Sequence, residues 1–480
     1  MRQAIIVAVL VLCGTALGSD PQTGNANPTS SEVTYTGSLR LRVESWHWFD
    51  SSAGDPDYTF GAYVLRLGAM QKRSRFDWQL ELEQPTLFGL PDHASAPAPQ
   101  GTLGLGGSYF ASNGSFGINA FPKQVFVRLH GANSKSAALK LGRFEFIDGT
   151  ETAPKDQTIA GLQRDRIAHR LIGNFGFSHV GRSFDGVQFT RDAGLWNLTL
   201  MAVRPTRGVF NADGWGELDV DVQYAALTRA FQNSTAQWRL FGIGYHDGRE
   251  SLKSDNRPAG IRSADQNNIR LGTVGTNLLK AYHTSSGTAD FLLWGAWQFG
   301  QWGALSQRSG AIAAEAGYQW NVAAKPWVRA GYFRSTGDAN PNDAEHGTFF
   351  QMLPTPRIYA RFPFFNLMNN EDTFLELSLS PTQRLAIRSD AHVLRLSNVH
   401  DLWYSGGGAY EQTSFGYSGR PSGGSRALAN LYDLSAEYQF TRHIGVTGYW
   451  GYAQGKTVIA KIYPQWANGS FAYIECLYKF

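Results

Sequence analysis

From Val33 onward the chain alternates in period two. In "GSLRLRVESWHW", Leu39, Leu41 and Val43 share one parity, and Arg40, Arg42 and Glu44 share the other. Tyr63, Leu65 and Leu67 then oppose Arg66, and Phe76, Trp78, Leu80 and Leu82 oppose Asp77, Gln79, Glu81 and Glu83. Side chains leave a strand on alternate faces, so this pattern predicts strands whose two faces meet different surroundings. Continued along the chain, it predicts 18 of them, near 34–48, 60–71, 75–84, 122–131, 137–147, 182–191, 194–205, 217–231, 234–247, 266–277, 288–300, 310–320, 325–335, 372–381, 383–398, 428–440, 443–454 and 469–480. Several exceed the ~5–6 residues usual in globular sheets and approach the ~9–11 of a membrane-crossing strand.

The connections sort by end. Even-numbered predicted strands are followed by short polar turns, such as "KRS" after the second, "DAG" after the sixth and "TRH" after the sixteenth. Odd-numbered ones are followed by longer segments, the longest being 85–121, 148–181, 336–371 and 399–427. A sandwich would scatter its long loops, and a propeller needs a recurring blade motif of about 40–50 residues, which is not found. The expected fold is all-β: a closed antiparallel transmembrane β-barrel of about 18 strands (16–18), with short periplasmic turns and long extracellular loops. The final run, "SFAYIECLYKF", alternates to its last residue, as a strand that closes the barrel against the first would.

Composition narrows this further. The 480 residues include 53 Gly, 30 Phe, 20 Tyr and 14 Trp, yet only 17% are charged and the mean hydropathy is −0.28. No mature segment reaches the roughly 20 apolar residues of a membrane helix. Residues 1–18 read as a secretory signal, with Arg2, an apolar stretch from Ala4 to Leu12 and the small-residue site Ala16-Leu17-Gly18. Leu10-Val11-Leu12 lacks the small residue expected before a lipoprotein cysteine at Cys13. Residues 19–32 read as a disordered polar lead-in and 33–480 as the barrel. Signal removal would leave one cysteine, Cys476, so no disulfide is expected. The expected compartment is the bacterial outer membrane. Trp46, Trp48, Tyr438, Phe440, Tyr449, Trp450, Tyr478 and Phe480 lie near strand ends, where interfacial girdles form.

The polar face carries the candidate chemistry. Arginine outnumbers lysine, 32 to 11, within a net charge of +4. Guanidinium forks bind carboxylates bidentately, whereas lysine acts as a mobile point charge. Parity places Arg40, Arg42, Arg66, Arg128, Arg270, Arg329, Arg388 and Arg395 in the lumen, with Asp77, Glu81, Glu83, Asp219, Asp221, Glu315, Glu376 and Glu437 beside them. Barrels of about 16–18 strands leave an aqueous channel. A mixed lumen of this kind would attract anions yet release them. Each arginine alone reads more readily as a member of an internal salt-bridge network than as a solute ligand.

Two regions carry a resemblance. The first is "LKLGRFEFIDGTET" followed by "RDRIAHRLIGNFGFSHVGRSFDGVQFTRD", with Gly142, Arg143, Glu145, Asp148, Gly149, Arg170, Leu171, Asn174, Gly181, Arg182, Phe184, Asp185 and Gly186 in the matching places. The second, weaker, is "NDAEHGTFFQMLPTPRIYARFPFFNLMNN", with His346, Gly347, Phe349, Leu353 and Pro354. Both resemble the alginate-export family of outer-membrane barrels. A bulge at Gly142 is expected to turn Arg143 and Glu145 inward, and Arg182 and Asp185 to pin a folded-in loop. The resemblance implies a passive channel for an anionic polysaccharide or oligosaccharide, with Arg40, Arg42, Arg66, Arg128, Arg143, Glu145, Arg182, Asp185, Arg270, Arg329 and Arg388 along the pathway. Small anions remain an alternative, since the acid-rich "WQLELE" and the modest net charge do not favour alginate itself.

An enzyme would need a nucleophile and base in one place. Ser397, Asn398 and His400 are too close along one strand end, and there is no Gly-x-Ser-x-Gly elbow or His-Glu-x-x-His pair. The eleven histidines are dispersed, so no catalytic residue, metal or cofactor is expected. Expected partners are the solute, outer-membrane lipid and the barrel-assembly machinery through terminal Phe480, with no nucleic acid and a monomeric state.

Overall fold

The computed structural model describes residues 32–480 apart from 132–133, 232–233 and 364, so the expected signal and most of the lead-in lie outside the described residues. Eighteen antiparallel strands close a barrel. In chain order they are β1 (Thr34–His47), β2 (Asp57–Lys72), β3 (Phe76–Phe88), β4 (Phe121–Gly131), β5 (Ser134–Phe144), β6 (Phe184–Ala193), β7 (Trp196–Pro205), β8 (Val220–Phe231) and β9 (Ala236–Asp247). There follow β10 (Ile269–His283), β11 (Gly287–Trp302), β12 (Leu305–Trp320), β13 (Trp327–Ser335), β14 (Asn370–Thr382), β15 (Leu385–Leu396), β16 (Ala427–Gln439), β17 (Ile444–Gly455) and β18 (Asn468–Lys479). Every predicted strand overlaps one of these.

Each strand pairs with its chain neighbours, and β1 also pairs with β18 from Ser38↔Lys479 to His47↔Ser470. Phe480 exchanges both backbone hydrogen bonds with Gly37 at 3.0 Å. Closure leaves no unpaired edge, which lipid would penalise heavily.

The outer surface is a belt of exposed apolar side chains, among them Leu67, Leu80, Leu82, Val125, Val127, Leu278 and Leu293. Tyr438, Phe440, Trp450 and Phe480 join it. Trp46, Trp48 and Tyr449, expected in the same girdles, instead point inward. Trp46 stacks on Phe471 at 4.0 Å and Trp48 on Phe362 at 5.8 Å, because apolar loops inside the barrel give these rings partners.

Long loops fill the interior. The segment after β5 enters through helix Gln157–Leu162, which runs on as a π-helical turn, Gln163–Ile167. The segment after β13 contributes Phe349, Phe350, Leu353, Phe362 and Phe365, all buried, and the one after β15 contributes Trp403, Tyr404 and Tyr410. One connection departs from the predicted alternation. β11 and β12 meet through only Gly303 and Ala304, on the long-loop side. The residues 301–309 left between the two predicted strands mostly belong to the strands, where Gln307 donates to the carbonyl of Thr348 at 2.9 Å, as Gln298 of β11 does to that of Phe350 at 2.8 Å. Cys476, the one cysteine expected after signal removal, is buried on β18 opposite Leu41 of β1 and Val446 of β17, and Cys13 lies outside the described residues.

Candidate functional site in the barrel lumen

Arg40 and Arg42 project inward from β1 onto the loop after β5. Arg40 donates to the carbonyls of Gly176, at 2.8 Å, and Ser178, and Arg42 to that of Phe177 at 2.8 Å and to Glu475. Arg66 meets Glu83 at 2.6 Å, with Glu81 and Glu145 at 3.6 Å. Arg329 pairs with Asp290 and lies 3.4 Å from Glu315. Arg388 reaches Asp390 at 2.8 Å and Glu376 at 3.4 Å. Arg128 is 39% exposed inside the barrel mouth and stands 4.0 Å from Asp77. Six expected arginines therefore face the interior, and all but Arg128 are closely engaged.

The loops supply cations that parity could not reveal. Arg166, on the π-helical turn, binds Glu315 at 2.8 and 3.0 Å and lies over the Phe374 ring at 4.2 Å. Arg170 lies between Trp294 and Tyr359, at 4.8 and 4.5 Å from their ring centres. Arg361 reaches Glu437 at 3.0 Å. Arg170 is among the residues that carry the family resemblance, whereas Arg166 is signalled only by its place in the basic run "RDRIAHR".

The two motif regions pack together at the centre of the plug. Ile172 bridges Leu353 in parallel, Gly173 N–H donates to Leu353 O at 2.8 Å, and Leu353 N–H donates to Leu171 O at 3.0 Å. Arg182 is fully buried and donates to Gly173 O at 3.0 Å, Leu353 O at 2.7 Å and Gly408 O at 2.8 Å, so one guanidinium joins three loops. Burial pulls its pKa down to about 10. Asp148 accepts from the N–H groups of Leu171 and Ile172 at 3.3 and 3.1 Å, and burial lifts its pKa to about 6 against the opposing pull of Arg239.

Several expectations about facing are corrected, Asp219 among them, which lies outside between buried Leu218 and Val220, 3.4 Å from Arg204. Arg143 does not turn inward. The β5–β6 ladder keeps register through Gly142, so Arg143 stays on the outward parity of Leu139 and Leu141. There it makes a bidentate pair with Asp185 at 2.7 and 2.6 Å, not the Arg182–Asp185 contact expected, and holds the carbonyls of Gly214 and Trp215. Glu145, just past the strand end, does reach inward, to Arg66 and Lys123. Arg270 and Arg395 also face outward, between buried Ile269 and Leu271 and between buried Leu394 and Leu396. Asp221 likewise lies outside, 2.7 Å from Arg204. Arg143 keeps its parity because the expected bulge does not form; for Arg270, Arg395, Asp219 and Asp221 the reason is different and shared. At the long-loop end the interior is packed with apolar loop surface, so apolar residues point in and charges point out, reversing the parity rule.

At the short-turn end the interior opens into a cavity of about 400 Å³ lined by Arg128, His130, Lys140, Glu145, Gln188 and Asp192. A second, of about 380 Å³, adjoins it through Glu151, Asp192 and Asn197. Most carboxylates here are engaged: Glu145 by Arg66 and Lys123, Glu151 by Arg239, Asp77 by His130 at 3.0 Å. Lys140 lies over the rings of Phe126 and Phe144, at 5.0 and 4.9 Å.

A closed barrel with a lipid-facing belt, charged inner walls and inward-folded loops defines a bacterial outer-membrane channel of the porin type. Similar solved structures include Pseudomonas aeruginosa OccK9 (OpdG), at 11% identity and TM-score 0.59 over 93% of this chain and 98% of that one. Pseudomonas aeruginosa OpdK with vanillate matches at 10% identity and TM-score 0.56, over 93% and 98%. Pseudomonas aeruginosa OccK2 (OpdF) in complex with glucuronate matches at 9% and 0.55, over 93% and 96%. No curated protein matches the sequence. The alginate-export family matches residues 123–461, and the chain belongs to that family.

Proposed function

We propose that this channel passes anionic solutes by passive diffusion, with carboxylate-bearing sugars as the favoured class. The observation that carries this reading is the cavity at the short-turn end, where Arg128 and Lys140 face open space while neighbouring carboxylates are held by other cations. Behind it, Arg40, Arg42, Arg66, Arg329 and Arg388 form the inner wall with their acids. Arginine beside carboxylate gives an anion a place to bind and a competitor that displaces it. Vanillate and glucuronate, named with two of the similar structures, are both carboxylates. Arg143, Asp185 and Arg270 are not part of the proposed pathway; Arg182 and Glu145 act by positioning loops.

A second reading, a porin for small anions, draws on the packed loops. The cavity of about 400 Å³ suits a single sugar ring, and a polymer would need the loops after β5 and β13 to move aside. Family membership and the barrel favour transport over catalysis.

Planar-bilayer recording under a KCl gradient tests the proposal. The reversal potential should show anion preference, and Arg128→Glu with Lys140→Glu should shift it toward cations. Cation preference in the parent protein, or no conductance, would overturn the reading. Proteoliposome swelling with glucuronate against oligouronates then separates a small-anion porin from a polymer channel.

A further inference from the structure

A cluster of three side chains on the inner wall has no role in the pathway above. Asp390 and His392 alternate along the inner face of β15, and Asp433 lies directly across from Asp390 on β16. One potential ligand atom from each lies within 4.8 Å of the other two. All three are buried, at 6%, 1% and 5% exposure.

The second shell is ordered. Asp372, on β14, sits 2.9 and 3.1 Å from His392 Nδ1, so that nitrogen carries the proton it donates. In the neutral imidazole Nε2 is then the lone-pair nitrogen, and it has no hydrogen-bond partner. Asp433 Oδ1 accepts from the Tyr449 hydroxyl, whereas Oδ2 has no partner. Arg388 Nε holds both oxygens of Asp390, at 3.1 and 2.8 Å. Two unmatched acceptors, one a carboxylate oxygen, are thus buried in one cluster, an arrangement that costs desolvation energy with no return. A cation between them satisfies both. A carboxylate on the far nitrogen of a histidine is also the usual support of a metal-ligating imidazole.

We propose that His392 Nε2, Asp390 and Asp433 bind one divalent transition-metal ion of the Zn²⁺ type, with Asp372 as the positioning residue. One imidazole and two carboxylates form a mixed nitrogen and oxygen set, suited to a borderline ion rather than Ca²⁺ or Mg²⁺. Three protein ligands leave a position for water. The ion would tie β15 to β16 and add two positive charges beside Asp372, Asp390 and Asp433, which face Arg388 and the buried Arg357. No metal is expected from the sequence, because the residues come from separate strands without a recognisable spacing.

The test uses untagged full-length protein in detergent, stripped with EDTA, titrated with ZnCl₂ by calorimetry and assayed for bound metal after gel filtration. One Zn²⁺ per chain is expected. His392→Ala and Asp433→Asn should each weaken binding at least tenfold. Asp372→Asn, which removes no ligand, should weaken it by about 10–100-fold. Heat-modifiable gel mobility confirms that each variant is folded. X-ray absorption at the zinc edge should show one imidazole among oxygen neighbours. Absence of stoichiometric binding in the parent, binding that survives both ligand variants, or a spectrum with several imidazoles would overturn the proposal.

Discussion

Arg143 and Arg182 stand in one sequence motif yet do different work. Arg182 donates to carbonyls from three loops and has no carboxylate partner among the described residues. Arg182→Ala leaves those carbonyls without a donor, which should shift the loops toward an open state by about 3 kcal/mol, roughly a hundredfold in population. Single-channel recording should show longer or larger openings. Arg143 holds Asp185 and the loop after β7 on the outer side. Arg143→Ala should leave single-channel current unchanged and make the chain near Trp215 more sensitive to protease; an altered current would return Arg143 to the pathway. Gly142 and Gly186 face each other across β5 and β6 with φ of +124° and +151°. An added Cβ on either would run into a backbone carbonyl of the next strand. Gly142→Val should therefore cost about 1–3 kcal/mol in urea unfolding.

At the level of elements, the inward-folded loops hold ionisable groups that should make packing pH-sensitive. Burial lowers His169, His179 and His346 to about 4. His169 lies near Glu145, His179 against Glu44 and Arg42, and His346 near Asp255 and Arg257. An unpacked loop binds protons on these imidazoles between about pH 6.5 and 4 while the packed loop does not, so packing weakens as pH falls through that window. Asp148 and Asp401, raised by burial to about 6, act in the opposite sense. They favour packing as they protonate below pH 6. Asp338 and Glu411, also raised by burial, join them, while Asp255 and Asp265, held low by Arg257 and neighbouring N–H groups, act with the imidazoles at the acid end of that window. Five groups then oppose four, so net loosening is expected on acidification, and conductance should rise between pH 6.5 and 4 while staying flat above pH 7. A change confined to alkaline pH would point to other groups. The same loops explain the parity reversal: their apolar surface attracts Ile269, Leu271, Leu394 and Leu396 inward and leaves Arg270 and Arg395 outside.

For the molecule as a whole, the seam between β1 and β18 decides whether a barrel exists. The Phe480 ring lies over Gly37, occupying the space a side chain there would fill. Phe480→Ala keeps the backbone bonds and loses that cover. If Phe480 also serves as the assembly signal, the variant should refold in detergent with near-parent yield but reach the outer membrane in cells at well below parent level, read by heat-modifiable mobility. Equal loss in both settings would make the role one of stability alone.

The sequence by itself determined the strand number, the closure, the compartment and the family. The first three follow from period-two alternation and turn lengths, local properties that lipid enforces along each strand, and the family from the motifs around Gly142–Gly149 and Arg170–Gly186. Parity alone gave Arg40, Arg42, Arg66, Arg128, Arg329 and Arg388 the side of the strand opposite the apolar residues, and their carboxylate and carbonyl partners came from other strands and loops. Only the tertiary structure decided what fills the barrel. Loops distant in sequence bring apolar surface and their own cations inside, which reverses the facing of Arg270 and Arg395 and gives Arg182, expected to pin a loop through Asp185, carbonyl partners on three loops instead. The grouping of Asp390, His392 and Asp433 was equally invisible, because strand register, set by hydrogen bonding between separate segments, is what places those side chains together.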